Sequence, residues 1–148
     1  MEMVDRVLIS EPTTWFLVFH RTSVNRLLSF LAFGDLKHVS AFGYCPGFDA
    51  WVIYDVTWSG TRVRLVRNDQ AGQQAIIDMT RGCEMMKVEH AGQTPTFTSR
   101  IGFYCVSSVK HLLGLRCVAV TPTQLYRFLL HNGGALISGS AGHPSTSA

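Results

Sequence analysis

Three neighbouring β-type segments constrain the fold of this 148-residue chain more than any other feature. Residues 38–44 and 49–56 are rich in aromatic and β-branched side chains and flank Cys45-Pro46-Gly47-Phe48, which predicts a β-hairpin. After a second turn at residues 58–61, residues 62–67 alternate arginine with valine or leucine. This alternation predicts a third antiparallel strand with one solvent-exposed face.

Helices are predicted on both sides of this antiparallel meander. An apolar run at residues 15–19 predicts a buried strand, and Ser23 is expected to cap the helix that follows and ends at Gly34. Toward the carboxyl end, apolar residues recur at helical spacing over residues 106–113, with Gly114 as the expected stop.

The remaining segments complete an α+β prediction. Residues 121–124 have the composition of a capping box with proline at the first helical position, and residues 132–134 should end the helix they begin. Residues 68–74 are interpreted as a loop, and residues 75–80 and 84–88 as candidates for short strands. The expected order is therefore strand, helix, antiparallel meander and two helices.

The bulk composition excludes several classes of protein. Apolar residues make up 47% of the chain, which favours one packed domain over residues 1–137, followed by a flexible tail at residues 138–148. The net charge of +3, without a long basic run, gives no signal for nucleic-acid binding. The apolar runs are too short to span a bilayer and the first residues lack the apolar core of a signal peptide, so we expect a soluble protein.

Four cysteines, at positions 45, 83, 105 and 117, predict neither a disulfide framework nor a metal site, and no cofactor is expected. Cys105 differs from the others because it stands at the expected start of a helix. The unpaired N–H groups and the positive end of the helix dipole favour the thiolate there, so an adjacent histidine would make Cys105 a nucleophile. The alternative is a small buried residue that happens to begin a helix.

The predicted hairpin suggests which histidine and carboxylate could act together. If the turn spans residues 45–48, Tyr44 faces Asp49 and His38 faces Asp55 on the same face of the sheet. The carboxylate would then orient the imidazole, as the third member of a catalytic triad does. Two alternatives stay open: His38 as a surface histidine at a strand start, and Asp55 as an edge carboxylate paired with Arg62 or Arg64.

The order of these motifs resembles that of the circularly permuted papain-like hydrolases, the NlpC-type group that includes the lecithin–retinol acyltransferase relatives. The resemblance runs from about residue 14 to residue 131. It is carried by five segments: Trp15–Phe19, His38-Val39-Ser40-Ala41-Phe42-Gly43-Tyr44, Val52-Ile53-Tyr54-Asp55, Phe103-Tyr104-Cys105-Val106-Ser107-Ser108 and Thr121-Pro122-Thr123-Gln124-Leu125. Ser40 and Val106 depart from the family pattern, in which a small glycine and a serine are usual.

The resemblance implies a papain-like fold whose central antiparallel sheet packs against the cysteine-bearing helix. It implies Cys105 as nucleophile, His38 as general base and Asp55 as orienting group, with the Cys105 N–H in the oxyanion hole. The expected function is hydrolysis of an amide or ester carbonyl in a peptide, amide or acyl substrate, with peptidoglycan peptides as the first candidate.

The chain is also similar in size to small proteins of tailed bacteriophages, so we expect a cytoplasmic or virion-associated protein that could contact other virion proteins. The alternative function is a catalytically idle structural or assembly protein of the virion on the same fold.

Several other residues have weaker interpretations. Tyr104 and Tyr44 are candidate hydroxyl donors near the oxyanion, with aromatic packing as the alternative. The three remaining cysteines are expected to be structural: Cys45, Cys83 and Cys117. Four further histidines are expected at the surface: His20, His90, His111 and His131.

Overall fold

A computed structural model describes residues 12–22, 34–57, 60–89 and 104–137. The described chain contains six strands and three α-helices: β1 (Thr14–His20), β2 (His38–Cys45), β3 (Ala50–Thr57), β4 (Gly60–Arg67), α1 (Gln70–Thr80), β5 (Glu84–Glu89), α2 (Tyr104–Leu112), α3 (Pro122–His131) and β6 (Ala135–Ile137). The strands form one antiparallel sheet in the order β4-β3-β2-β1-β5-β6. The predicted α+β class and the antiparallel meander of β2, β3 and β4 are therefore confirmed.

The sheet separates two apolar clusters. One face, formed by alternate residues such as Leu17, Phe19 and Ala41, packs against α2 and α3 in the larger cluster. The opposite face carries Val18, Phe42 and Ile53, with side chains of α1 packed against them. Because side chains alternate along a strand, each residue of β1, β2 and β3 belongs to one of these two environments.

Helix α1 replaces the loop and short strand predicted over residues 68–80. Its amino end is capped by the Asp69 side chain, which accepts a hydrogen bond from the Gly72 N–H at 2.9 Å. A Cβ atom on Gly72 would lie 1.9 Å from the Arg67 carbonyl oxygen, so only glycine allows this close approach of helix and strand. The helix was missed because its mostly polar sequence lacks a pronounced apolar stripe.

The two later helices begin and end where local signals predicted. Helix α2 stops before Gly114, which adopts a φ of 65°, and α3 has the capping box predicted at Thr121 and Gln124. The candidate strand at residues 84–88 is confirmed as β5, whereas β6 was not predicted. The expected helix beginning at Ser23, the predicted surface position of His90 and the tail at residues 138–148 lie outside the described residues.

The helices in the described ranges are all too short or too polar to qualify as membrane-spanning segments.

Candidate active site

His38 and Asp55 meet at one end of the sheet. His38 is the first residue of β2 and Asp55 is near the end of β3, so the antiparallel arrangement brings them to the same end. The His38 Nε2–H donates a hydrogen bond to Asp55 Oδ1 at 2.8 Å, and both side chains are about a quarter exposed. This contact makes an ion pair when the imidazole is protonated.

The predicted hairpin register was wrong by two residues. Tyr44 pairs with Trp51 rather than Asp49, because a 3-10 turn at Pro46–Phe48 is followed by Asp49 in the left-handed conformation. A shift of two residues retains the face on which each side chain lies, so His38 and Asp55 become diagonal instead of direct neighbours. The contact survives the error because both side chains are long enough to span a diagonal.

The ring of His38 also interacts with the side chain of Cys105. Because Asp55 engages Nε2, the ring nitrogen left for the thiol is Nδ1. Burial lowers the pKa of His38, but the hydrogen bond to Asp55 and the interaction with Cys105 outweigh it and raise the pKa to about 9. The imidazolium is thus the stable form of His38 at neutral pH.

Cys105 reaches His38 from the first turn of α2. Its neighbours on that helix, Val106 and Val109, are buried against the sheet, and Cys105 itself is only 7% exposed. The N–H groups of a first helical turn have no partner within the helix, so they favour negative charge close to that turn. A thiol, an imidazolium and a carboxylate therefore follow one another at this end of the sheet.

Asp55 is held in its anionic form. The hydrogen bond from His38 is the largest of the effects that lower the pKa of Asp55, and the positive charges of His38 and Arg64 act in the same direction against burial. The predicted alternative partner, Arg62, lies directly opposite Asp55 in β4. Among the ion pairs of the described ranges, however, Asp55 pairs with His38.

A second thiol–imidazole contact lies beside the first, and sequence reasoning missed it. His20 was predicted at the surface and Cys83 was considered structural, but His20 Nδ1 lies 3.2 Å from Cys83 Sγ and His20 Nε2 lies 2.9 Å from Ser40 Oγ. The His20 and His38 rings are stacked obliquely, with centroids 5.4 Å apart. Burial and the positive charge of His38 lower the pKa of His20 to about 4 against the attraction of Asp55.

This second contact depends on strand order that the sequence did not reveal. The register of β1 with β5 pairs Phe19 with Glu84, so its continuation places His20 opposite Cys83, 63 residues away in the chain. Burial also raises the pKa of the Cys83 thiol. The pair is consequently a neutral thiol against a neutral imidazole.

The two candidate tyrosines lie in different places. Tyr104 directly precedes Cys105 and is 69% exposed, so its hydroxyl is next to the site but directed largely to solvent. Tyr44 is six residues along β2 from His38, about 20 Å at the rise of a strand, and its hydroxyl donates to Asp49. The structure therefore does not bring Tyr44 to the site.

The remaining predicted thiols and histidines have simpler environments. Cys45 is buried at the far end of β2, Cys117 is partly buried, and none of the four cysteines, all of which lie in the described ranges, forms a disulfide. His111 and His131 occupy exposed helical positions, as predicted. Within the described ranges, no three histidine, cysteine, aspartate or glutamate side chains form a group that could hold a metal ion.

Comparison of the chain with protein-family models, with curated proteins and with solved structures finds no match. The structure alone thus describes the protein as an α+β domain. Its six-stranded antiparallel sheet brings a thiol, an imidazole and a carboxylate together at one end.

Proposed function

We propose that the protein is a cysteine-dependent hydrolase that cleaves an amide or ester bond with Cys105, His38 and Asp55. The observation that carries this proposal is that one imidazole, His38, donates a hydrogen bond to Asp55 and also interacts with the side chain of Cys105. A nucleophile beside a histidine that is in turn oriented by a third polar group is the arrangement of nucleophilic catalysis in many unrelated folds. The resemblance to permuted papain-like hydrolases favours the same assignment.

The raised pKa of His38 determines the order of proton transfers in this proposal. In the proposed reaction Cys105 attacks as a thiolate with the His38 imidazolium as its counter-charge, and the sulfur forms the C–S bond with the carbonyl carbon. As the bond to the leaving nitrogen or oxygen breaks, His38 gives its proton to that atom. In this first step His38 acts as an acid, and the general-base role that the resemblance implies belongs to the second step.

Hydrolysis of the thioester restores the starting state. Neutral His38 takes a proton from water, the water oxygen attacks the thioester carbonyl, and the C–S bond breaks to release a carboxylic acid and the Cys105 thiolate. The Cys105 N–H, in the first turn of α2, stabilises the negative oxygen that forms in both steps. Asp55 keeps the imidazole oriented throughout and compensates its positive charge.

Peptidoglycan peptides are the substrate class that we propose, as the resemblance implies. The test combines two measurements: alkylation of the four thiols by iodoacetamide at pH 6.5, with each site quantified by mass spectrometry, and release of peptides from purified peptidoglycan. We expect Cys105 to react at least about tenfold faster than Cys45, Cys83 and Cys117, because the thiolate is the reactive form. We also expect peptide release that is lost in Cys105→Ala and His38→Gln.

The matched control is Cys83→Ala, which removes the other histidine-bonded thiol and should retain peptide release. Equal alkylation of all four cysteines would overturn the proposed nucleophile and favour a catalytically idle protein of the virion. Selective alkylation of Cys105 without peptide release would contradict the substrate class while supporting the nucleophile, and a panel of peptide amides and esters would then identify the bond.

A further inference from the structure

The outer edge of β4 has features of a binding surface that the proposed hydrolase does not use. Among the described strands β4 lies at one end of the sheet, so its outward N–H and C=O groups have no strand beside them. Its apolar side chains are unusually exposed, Val63 by 60% and Leu65 by 71%. Both side chains lie on the face of the sheet against which α2 packs. They are next to Tyr54 and Val52 of β3, which are partly buried on that face.

The charge of β4 is entirely positive. Three of its eight residues are exposed arginines, Arg62, Arg64 and Arg67, and the strand contains no acidic residue. Within the described ranges none of the three takes part in an ion pair of 4.0 Å or less. Arg62 and Arg64 project from one face of the strand, and Val63 and Leu65 from the other.

This pattern disfavours a second copy of the chain as the occupant. In an antiparallel pair of two β4 strands, each strand would bring three arginines against three, and like charges on neighbouring strands are destabilising. The same charges favour an acidic partner. A segment that alternates acidic and apolar residues would place carboxylates beside Arg62 and Arg64 and apolar side chains beside Val63 and Leu65.

We propose that the outer edge of β4 binds an extended acidic peptide segment as an additional strand of the sheet. Main-chain hydrogen bonds to the edge would supply affinity, and the alternation of arginine and apolar side chains would select the sequence. The proposal is independent of the cysteine chemistry, because no residue of β4 belongs to the Cys105, His38 and Asp55 group.

The test uses a fluorescein-labelled octapeptide of alternating glutamate and valine, and fluorescence anisotropy with the full chain. We expect binding that is at least tenfold tighter than that of the corresponding lysine–valine octapeptide and that weakens as salt is added. The double substitution R62Q/R64Q should weaken binding by about tenfold, which the loss of two exposed ion pairs can supply. The matched control R81Q/R127Q, which removes two exposed arginines elsewhere, should leave binding unchanged.

Hydrogen exchange of the backbone identifies where the peptide binds. With the peptide present, every second amide of β4 should exchange at least tenfold more slowly, because alternate N–H groups of an edge strand point outward. Equal binding of the two octapeptides, no effect of R62Q/R64Q, or protection confined to other strands would each overturn the proposal. Cys105→Ala should bind the glutamate–valine octapeptide as tightly as the wild type, so this test and that of the hydrolase can fail separately.

Discussion

Two thiol–imidazole pairs lie side by side at one end of the sheet, and they differ in the third residue that each imidazole contacts. His38 bonds to the carboxylate of Asp55 and interacts with Cys105, whereas His20 bonds to Cys83 and to the hydroxyl of Ser40. Burial lowers the pKa of both histidines, yet the pKa of His38 is about 9 and that of His20 is about 4. The interactions of His38 with Asp55 and Cys105, and not burial, decide which imidazole is charged.

The two pairs are also coupled. The ring centroids are 5.4 Å apart, and the positive charge of His38 is one of the causes that lower the pKa of His20. Two neighbouring imidazolium ions repel each other, so protonation of one ring keeps the other neutral. We infer that the fold concentrates charge on the Cys105 pair and leaves the Cys83 pair as a neutral, hydrogen-bonded neighbour.

The largest expected consequence is an opposite pH dependence of stability for the two histidines. His38 has a raised pKa, so its stabilisation is complete below about pH 6.5 and is lost as the pH rises through about 9. His20 has a lowered pKa, so the free energy of unfolding falls as the pH drops from about 6.5 to about 4, where only the unfolded chain takes up the proton. Each change in the free energy of unfolding is about 3 kcal/mol, because each pH unit between the pKa values of the folded and unfolded states contributes about 1.4 kcal/mol.

Urea unfolding at pH 4.5, 7 and 9.5 checks this prediction. His38→Gln should flatten the alkaline side of the stability profile and His20→Gln the acidic side, whatever the absolute stability of each variant. The exposed His131, replaced by glutamine, is the matched control and should leave both sides unchanged. Parallel profiles for all three variants would contradict the contrast between the two sites.

The parts of the fold that were predicted correctly have local signals. The capping box at Thr121 and the stop at Gly114 fix the ends of α3 and α2 through contacts within a few residues. The hairpin register failed because Asp49 adopts a left-handed conformation that Pro46 and Gly47 did not indicate. The face shared by His38 and Asp55 was nevertheless correct, because an error of two residues does not change the side of a strand.

The second pair was beyond sequence reasoning because it depends on strand neighbours. His20 and Cys83 are 63 residues apart and meet only because β5 pairs with β1 rather than with β4. Without that strand order, the sequence does not indicate that His20, at the end of an apolar run, and Cys83, before an uncertain strand, are in contact. The contact of His38 with Cys105 was likewise expected from the family resemblance and not from periodicity.

Removal of the carboxylate should make the Cys105 pair resemble the Cys83 pair. In Asp55→Asn we expect iodoacetamide to label Cys105 about 10- to 100-fold more slowly at pH 6.5, because a hydrogen bond to a charged group contributes about 1.5–3 kcal/mol. With less imidazolium at His38, the thiolate loses its counter-charge. Labelling rates measured by mass spectrometry of the Cys105 peptide give the comparison.

The matched control for this substitution is Ser40→Ala, which removes the corresponding partner of His20. Because that partner is an uncharged hydroxyl, the labelling rate of Cys105 should change by less than about twofold. An Asp55→Asn variant that is labelled as fast as the wild type would show that the carboxylate does not determine the reactivity of the thiol. Circular dichroism at about 20 °C would verify that both variants are folded.

The smallest expected effect tests the converse, the conversion of the neutral pair into a charged one. Ser40→Asp places a carboxylate within reach of His20, which should raise the pKa of His20 and increase the labelling of Cys83 at pH 7 by about 3- to 10-fold. The gain is smaller than the loss in Asp55→Asn because the new carboxylate lies near Asp55 and the positive charge of His38 still opposes protonation of His20. Ser40→Asn, of the same size without the charge, should leave Cys83 unreactive, and equal labelling in the two variants would contradict an electrostatic origin of the contrast.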